Sequence, residues 1–435
     1  MWLPLNVRHV RVLRMLSRRW QRRLIFTGGA LAVGLMAVGL ARAADGAQHI
    51  FQQMLRHVPY GGFVVTPLGF ALTAWMTRRF FPNTQGSGIP QAIAARELEA
   101  TEDRAKFVNW RAGVGKVLLT LMGLLFGASV GREGPTVQVG ASMMFEIGRL
   151  SPRRQPGLIL AGAAAGVAAA FNTPLAGIVF AIEEVSRSFE LRTSGLIIGA
   201  VIAAGLTAIA LGGNYSYFGS TAEMLATGWS WLAIPVCGVL GGLFGGLFSR
   251  ILIIFAFGLP GRAGELIKRH PVWFALVCGV LVAICGYASN ETTFGTGYIY
   301  ARTAVHGMAR LAFMFTPLKF LATTLSSISG LPGGIFSPSL SVGAGLGSDV
   351  AQFFPSSPMG AIVLLGMVSY FTGVVQAPIT SFVIVSEMTD NHQMLVPLML
   401  AALIANASSK LVCREGVYHA LAKRYLAGEE SGVAV

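Results

Sequence analysis

The stretch Gly131-Arg132-Glu133-Gly134-Pro135, followed by Val139-Gly140-Ala141, lies within otherwise apolar sequence and decides how the chain is read. It recurs 203 residues later as Gly334-Ile335-Phe336-Ser337-Pro338 with Val342-Gly343-Ala344. Downstream the spacing becomes 204, so that Gly162 falls on Gly366, Pro174 on Pro378 and Glu183 on Glu387. Two halves of similar design explain this register. Both motifs place proline near a helix start, where its missing N–H is no loss. The glycine-rich chain before each is then non-helical.

Working outward, the solvent of these halves follows from composition. Of 435 residues, 54% are hydrophobic and 12% charged, against about 25% charged in soluble domains. Ten apolar runs recur from Leu24–Leu40 to Met394–Leu411, several shorter than the roughly 20 residues of a full helical span. The net charge of +14 comes from the N-terminal tail and connecting segments, not from a stripe suited to nucleic acid. Arg8, Arg11, Arg14, Arg18, Arg19, Arg22 and Arg23 precede the first run, and Lys410, Arg414, Lys423 and Arg424 follow the last. Positive-inside bias therefore predicts two cytoplasmic termini.

An enzyme finds no chemistry here. The four cysteines lack metal or disulfide spacing, the seven histidines form no zinc pattern, and no nucleophile elbow or phosphate loop is present. Neither a catalytic residue, a metal site nor a cofactor is expected.

Non-helical chain inside a membrane is tolerated only where it is buried in protein or lines a cavity. A helix that begins there offers unpaired N–H groups and the positive end of its dipole, which together favour an anion. Gly86-Ser87-Gly88-Ile89-Pro90 is a third such start and adds a hydroxyl donor. Partial charges hold an anion loosely enough to release it, and conduction needs both steps. No ammonium or guanidinium is required in this reading.

Glu133 sits in one of these breaks, where its carboxylate would take the place of an anion and act as a tethered gate; ionisable groups at membrane depth are functional candidates. Glu183 and Glu184 close the segment beginning at Pro174, ahead of Arg187 and Arg192, and neighbouring positions point about 100° apart on a helix. At most one of them faces a proton route, and Glu387 reads as structural. Gly241-x-x-x-Gly245 and Gly242-x-x-x-Gly246 read as close helix contacts. Trp229, Trp231 and Trp273 read as interfacial anchors.

Together Gly86–Pro90, Gly131–Pro135 and Gly333–Pro338 resemble, in order and spacing, the CLC family of chloride channels and chloride/proton exchangers. The resemblance runs from the basic N-terminal helix to Tyr418. It implies an all-α membrane protein, an inverted-repeat bundle of about eighteen tilted, partly broken helices, assembled as a homodimer in the cell (inner) membrane. The implied organisation is a basic segment 1–23, a transmembrane domain 24–426 with halves of roughly 24–212 and 229–426, and a tail 427–435, without the nucleotide-binding domains of larger relatives. It also implies that Ser87 and Tyr418 coordinate the anion with the amides of Ile335 and Phe336. Glu133 corresponds to the gating glutamate, and Glu184 to the internal proton-transfer glutamate of exchangers. Ser87 points to chloride. The implied function is chloride/proton antiport, with a proton-uncoupled, voltage-gated chloride channel as the alternative.

Overall fold

The computed structural model describes residues 7–186, 191–213 and 215–430; Arg187 and the end of the expected tail, 431–435, lie outside them. The described residues form α-helices joined by short loops, with four short 3₁₀ or π turns. The first half contains α1 (Val7–His57), α2 (Gly62–Phe80), α3 (Ile89–Glu97), α4 (Thr101–Ala105), α5 (Trp110–Leu125), α6 (Glu133–Gly148), α7 (Gln155–Phe171), α8 (Pro174–Phe180) and α9 (Leu191–Gly212). The second contains α10 (Ala233–Phe257), α11 (Gly261–Arg269), α12 (Pro271–Ala288), α13 (Tyr298–Val305), α14 (Phe315–Ile328), α15 (Phe336–Val350), α16 (Met359–Val375), α17 (Pro378–Thr389) and α18 (Leu395–Val412). A last helix, α19 (Val417–Glu430), packs against α3 of the first half.

Local chemistry sets the breaks. α7 and α16 end on Asn172 and Gln376, which are repeat equivalents in the left-handed conformation at φ 56° and 60°. Asn tolerates that conformation and so stops a helix. Two residues later Pro174 and Pro378 open α8 and α17. α6 and α15 begin as expected, two residues before their prolines. α1 runs unbroken for 51 residues, about 76 Å at 1.5 Å per residue. The change at 23/24 is thus one of composition, not of secondary structure.

Contacts between repeat equivalents give the relation of the halves. The amide of Gly131 donates to the carbonyl of Gly334 at 2.7 Å, and Gly334 returns the same bond to Gly131 at 2.7 Å. Further down the chain, the Glu183 carboxylate, in the π turn Ala181–Ser186 that continues α8, accepts from the Ile379 and Thr380 amides at the start of α17. Glu387 near the end of α17 likewise accepts from Leu175 and Ala176 at the start of α8, at 3.1 and 2.7 Å. Such exchange of equivalents is what a pseudo-two-fold axis produces. Because the end of each helix meets the start of the other, α8 and α17 are antiparallel and the repeats are inverted. Each carboxylate caps orphan N–H groups and faces the positive end of a helix dipole. Glu387 is therefore structural, as expected, and Glu183 is its counterpart.

Small residues let the core helices touch. On α10, a Cβ at Gly241 or Gly245 would meet the backbone of Tyr370 and Gly373 on α16, while one at Gly242 or Gly246 would meet Ala405 or Ser409 on α18. The two glycine pairs thus serve two neighbours at once. Among the described residues, five helical stretches are long and apolar enough to cross a membrane: Trp20–His57, Gly195–Gly212, Gly228–Phe257, Pro271–Ala288 and Leu395–Val412. Trp229, Trp231 and Trp273 are exposed. A Cβ added at Gly245 would lie 2.5 Å from the Tyr370 carbonyl oxygen, so Gly245→Ala is expected to cost about 1–3 kcal/mol through overpacking. Gly39→Ala, where nothing lies within 4 Å, serves as the control. Thermal unfolding in detergent should show a lower midpoint for the first variant alone, and equal midpoints would refute the close contact.

Candidate anion and proton site

Three helix starts meet where the halves cross. Besides the Gly131–Gly334 exchange, the Gly86 amide donates to Leu331 at 3.1 Å and the Gly333 amide donates to Gly86 at 2.9 Å. The glycines are required by proximity: a Cβ on Gly134 would collide with Ser87 Oγ and would lie 3.2 Å from Gly334 Cα. Gly88, at φ 97°, turns the chain into α3. The first N–H groups of α6 and α15 have no carbonyl of their own helix to bond.

Ser87 and Tyr418, far apart in sequence, are both buried at this crossing. The Tyr418 phenol lies close to Ser87, yet neither hydroxyl forms a hydrogen bond of normal geometry among the described residues. The Tyr418 ring stacks on Phe336 with centroids 6.0 Å apart and planes 16° from parallel. Phe336 also packs on Phe371 at 4.6 Å and Phe171 at 5.7 Å. Ile335, the N-cap of α15, is 4% exposed. The four residues expected at the anion site are thus neighbours. A buried hydroxyl without an acceptor costs about 1–3 kcal/mol, which an anion accepting from both Ser87 and Tyr418 would offset.

Glu133 is 1% exposed at the first turn of α6. Its Oε1 accepts from Ser337 Oγ at 2.6 Å and from the Tyr217 hydroxyl at 3.3 Å, while Oε2 has no partner among the described residues. Arg132, next in the chain, turns away to Asp45 of α1 at 2.6 Å. Glu184 is 2% exposed in the π turn Ala181–Ser186, whereas Glu183 is engaged at α17. Tyr418 is within electrostatic reach of both Glu184 and Glu133.

Several residues at the site escaped the reading of the sequence. Tyr217 comes from the connection between the halves, and its backbone is held by Tyr298, which donates to the Tyr217 carbonyl at 2.7 Å. His419 Nε2 lies 2.6 Å from the Glu184 carbonyl oxygen and 3.7 Å from its Oε1. No local sequence signal marks either. Lys116 is different. It is fully buried, and its Nζ donates to the carbonyls of Thr84, at 2.8 Å, and Gly86, directly behind the Ser87 loop. Lys319, also fully buried, repeats the arrangement with Gly295 at 2.7 Å and Thr293 at 2.9 Å beneath Gly295-Thr296-Gly297. A buried lysine thus stands behind the site, its donors pointing to loop carbonyls. The 203-residue spacing of the two lysines, each in an apolar run, was the missed signal.

This geometry can be set beside known proteins. Residues 69–410 match the family model described as voltage gated chloride channel. The chain belongs to the CLC family. Among CLC relatives, an H(+)/Cl(-) exchange transporter ClcA of Yersinia pseudotuberculosis serotype IB (strain PB1/+) is 32% identical, over 98% of this chain and 92% of that protein. The ClcA of Klebsiella pneumoniae (strain 342) is 31% identical, over 93% and 88%. Of solved structures, a slow cyanobacterial Cl-/H+ antiporter superposes with a TM-score of 0.80 at 25% identity, covering 94% of this chain and 98% of that one. A CLC-type fluoride/proton antiporter gives 0.77 at 20% identity, covering 92% and 96%, a likeness of fold. The chain is a CLC-type, multi-pass, inverted-repeat membrane transporter.

Proposed function

We propose that this CLC protein exchanges chloride for protons, using Glu133 as gate and Glu184 as internal proton donor and acceptor. The observation that carries this reading is the burial of two carboxylates, Glu133 at a helix start held by Ser337 and Tyr217, and Glu184 beside His419. Chloride is held by the hydroxyls of Ser87 and Tyr418 and the amides of Ile335 and Phe336. These are dipoles in a site shielded from water, so they bind without trapping.

Ionised, Glu133 competes with chloride for the positive end of α6 and is steadied by Ser337 and Tyr217. Protonated, it loses that attraction and leaves. Glu184 passes protons to and from the internal side, and His419 holds its backbone in place. Positive-inside bias supports two cytoplasmic termini, and membership of the CLC family supports placement in the cell (inner) membrane. The relatives named as exchangers and the neighbouring antiporter structure support exchange over an uncoupled, voltage-gated channel, as does Glu184, for which a channel has no use. No cofactor enters the cycle.

We place a homodimer contact on the apolar faces of α9 and α18, where Ile202, Leu206, Val396 and Leu403 are each more than half exposed. Cross-linking in native membranes should trap a dimer through these helices, and monomer alone would refute it.

Ser337 supplies the shorter of the two hydrogen bonds to Glu133. A hydrogen bond to a charged group contributes about 1.5–3 kcal/mol, so Ser337→Ala should release Glu133 and raise chloride flux at neutral pH by about tenfold. An unchanged rate would show that this hydroxyl does not hold the gate.

Coupling itself is tested in liposomes with a proton gradient and no chloride gradient, where the parent should drive chloride uphill. Glu184→Gln keeps the shape but carries no proton, and should conduct chloride without moving protons. Glu133→Ala should give chloride flux that ignores pH. A parent unable to move chloride uphill would leave the channel reading, and coupling that survives in either variant would remove that residue from its role.

A further inference from the structure

A cavity of about 560 Å³ opens between α1, the turn joining α6 to α7, and the early part of α9, away from the ion site. Arg22, Arg23 and Arg154 form its polar end, and Phe26, Ile147 and Leu158 its apolar wall. All three guanidinium side chains are exposed. Among the described residues no carboxylate pairs with any of them. The ion pair nearby is internal to one helical end, Arg149 Nε to Glu146 at 2.9 Å, so it does not neutralise the cavity. Arg23 additionally lies over the ring of Trp20, 5.5 Å from its centroid.

We propose that this cavity binds an anionic phospholipid, its phosphate between Arg22, Arg23 and Arg154 and the upper part of its acyl chains along Phe26, Ile147 and Leu158. Charge complementarity gives the headgroup: three planar, five-donor forks with no protein anion to satisfy them match phosphate oxygens. Position gives the lipid. The apolar run of α1 begins at Leu24, directly after Arg22 and Arg23, inside the candidate span Trp20–His57. Arginines at the end of a span hold their charge at headgroup level while their stems cover apolar surface. On α1 Phe26 lies one turn after Arg22, and at the start of α7 Leu158 lies one turn after Arg154, so each helix passes from a cation to an apolar side chain as an amphiphile does. Basic pockets between transmembrane helices are recognised sites for anionic headgroups.

A second cavity provides an internal contrast. It measures about 420 Å³, is lined by Leu266, Ile267, His270, Trp273, Phe274 and Val277, and contains no arginine. Lys268 and Arg269 stand beside it in sequence, so removing their charges tests whether any loss of basic surface has the same effect.

Native mass spectrometry of the purified full-length protein in detergent would be titrated with dioleoyl phosphatidylglycerol and, separately, dioleoyl phosphatidylcholine. The expected result is preferential retention of phosphatidylglycerol. Each arginine near an anionic headgroup is worth about fivefold in binding, so R22Q/R23Q/R154Q should lower its affinity on the order of a hundredfold, while K268Q/R269Q leaves it unchanged. Should the triple variant aggregate, Arg154→Glu alone provides the test, read the same way. Undiminished phosphatidylglycerol binding by these cavity variants would overturn the proposal, as would an equal loss in K268Q/R269Q. Glycerol 3-phosphate binding as tightly as the lipid would also overturn it, by showing a site for soluble phosphate esters in which the acyl chains play no part.

Discussion

Everything at the centre of this protein depends on how helix ends are satisfied away from water. A membrane-spanning chain cannot leave backbone N–H and C=O groups unpaired in hydrocarbon, yet transport needs polar groups there. The fold meets both demands by crossing its two interrupted segments, so that Gly131 and Gly334 satisfy each other. Only glycine allows that approach, and the crossing turns the adjoining helix starts toward one buried region. The amides most costly to bury become the donors of the site.

The same economy recurs in the carboxylates. Glu183 and Glu387 are engaged with the N-termini of α17 and α8, which closes the pseudo-symmetric frame and leaves Glu184 apart from it. The symmetry is broken where function is placed. Glu133 occupies the position whose repeat counterpart is Phe336, so one helix start carries a carboxylate, the proposed gate, and the other an aromatic ring stacked on Tyr418.

The support behind the site follows a related logic. Lys116 and Lys319 donate to the carbonyls of the two glycine loops, so each holds a loop in shape. Those bonds satisfy backbone acceptors that burial would otherwise leave unpaired.

Residue type and spacing alone determined the membrane class, the repeat and the three helix starts, and singled out Ser87 and Glu133 as candidates, because apolar length, Gly-Pro interruptions and isolated charges are local properties; the candidate roles of Glu184, Ile335, Phe336 and Tyr418 came from the family resemblance. Spacing determined that Glu183 and Glu184 must diverge, but not which one turned inward. Tertiary structure decided what depends on distant partners. It put Tyr217 of the connecting segment on Glu133, His419 beside Glu184, and Arg132 on Asp45 rather than on the gate. It also showed the repeats to be inverted, since antiparallel packing of α8 against α17 is a relation between segments some two hundred residues apart. Sequence periodicity records that two segments are alike, whereas their relative direction exists only once each has capped the other.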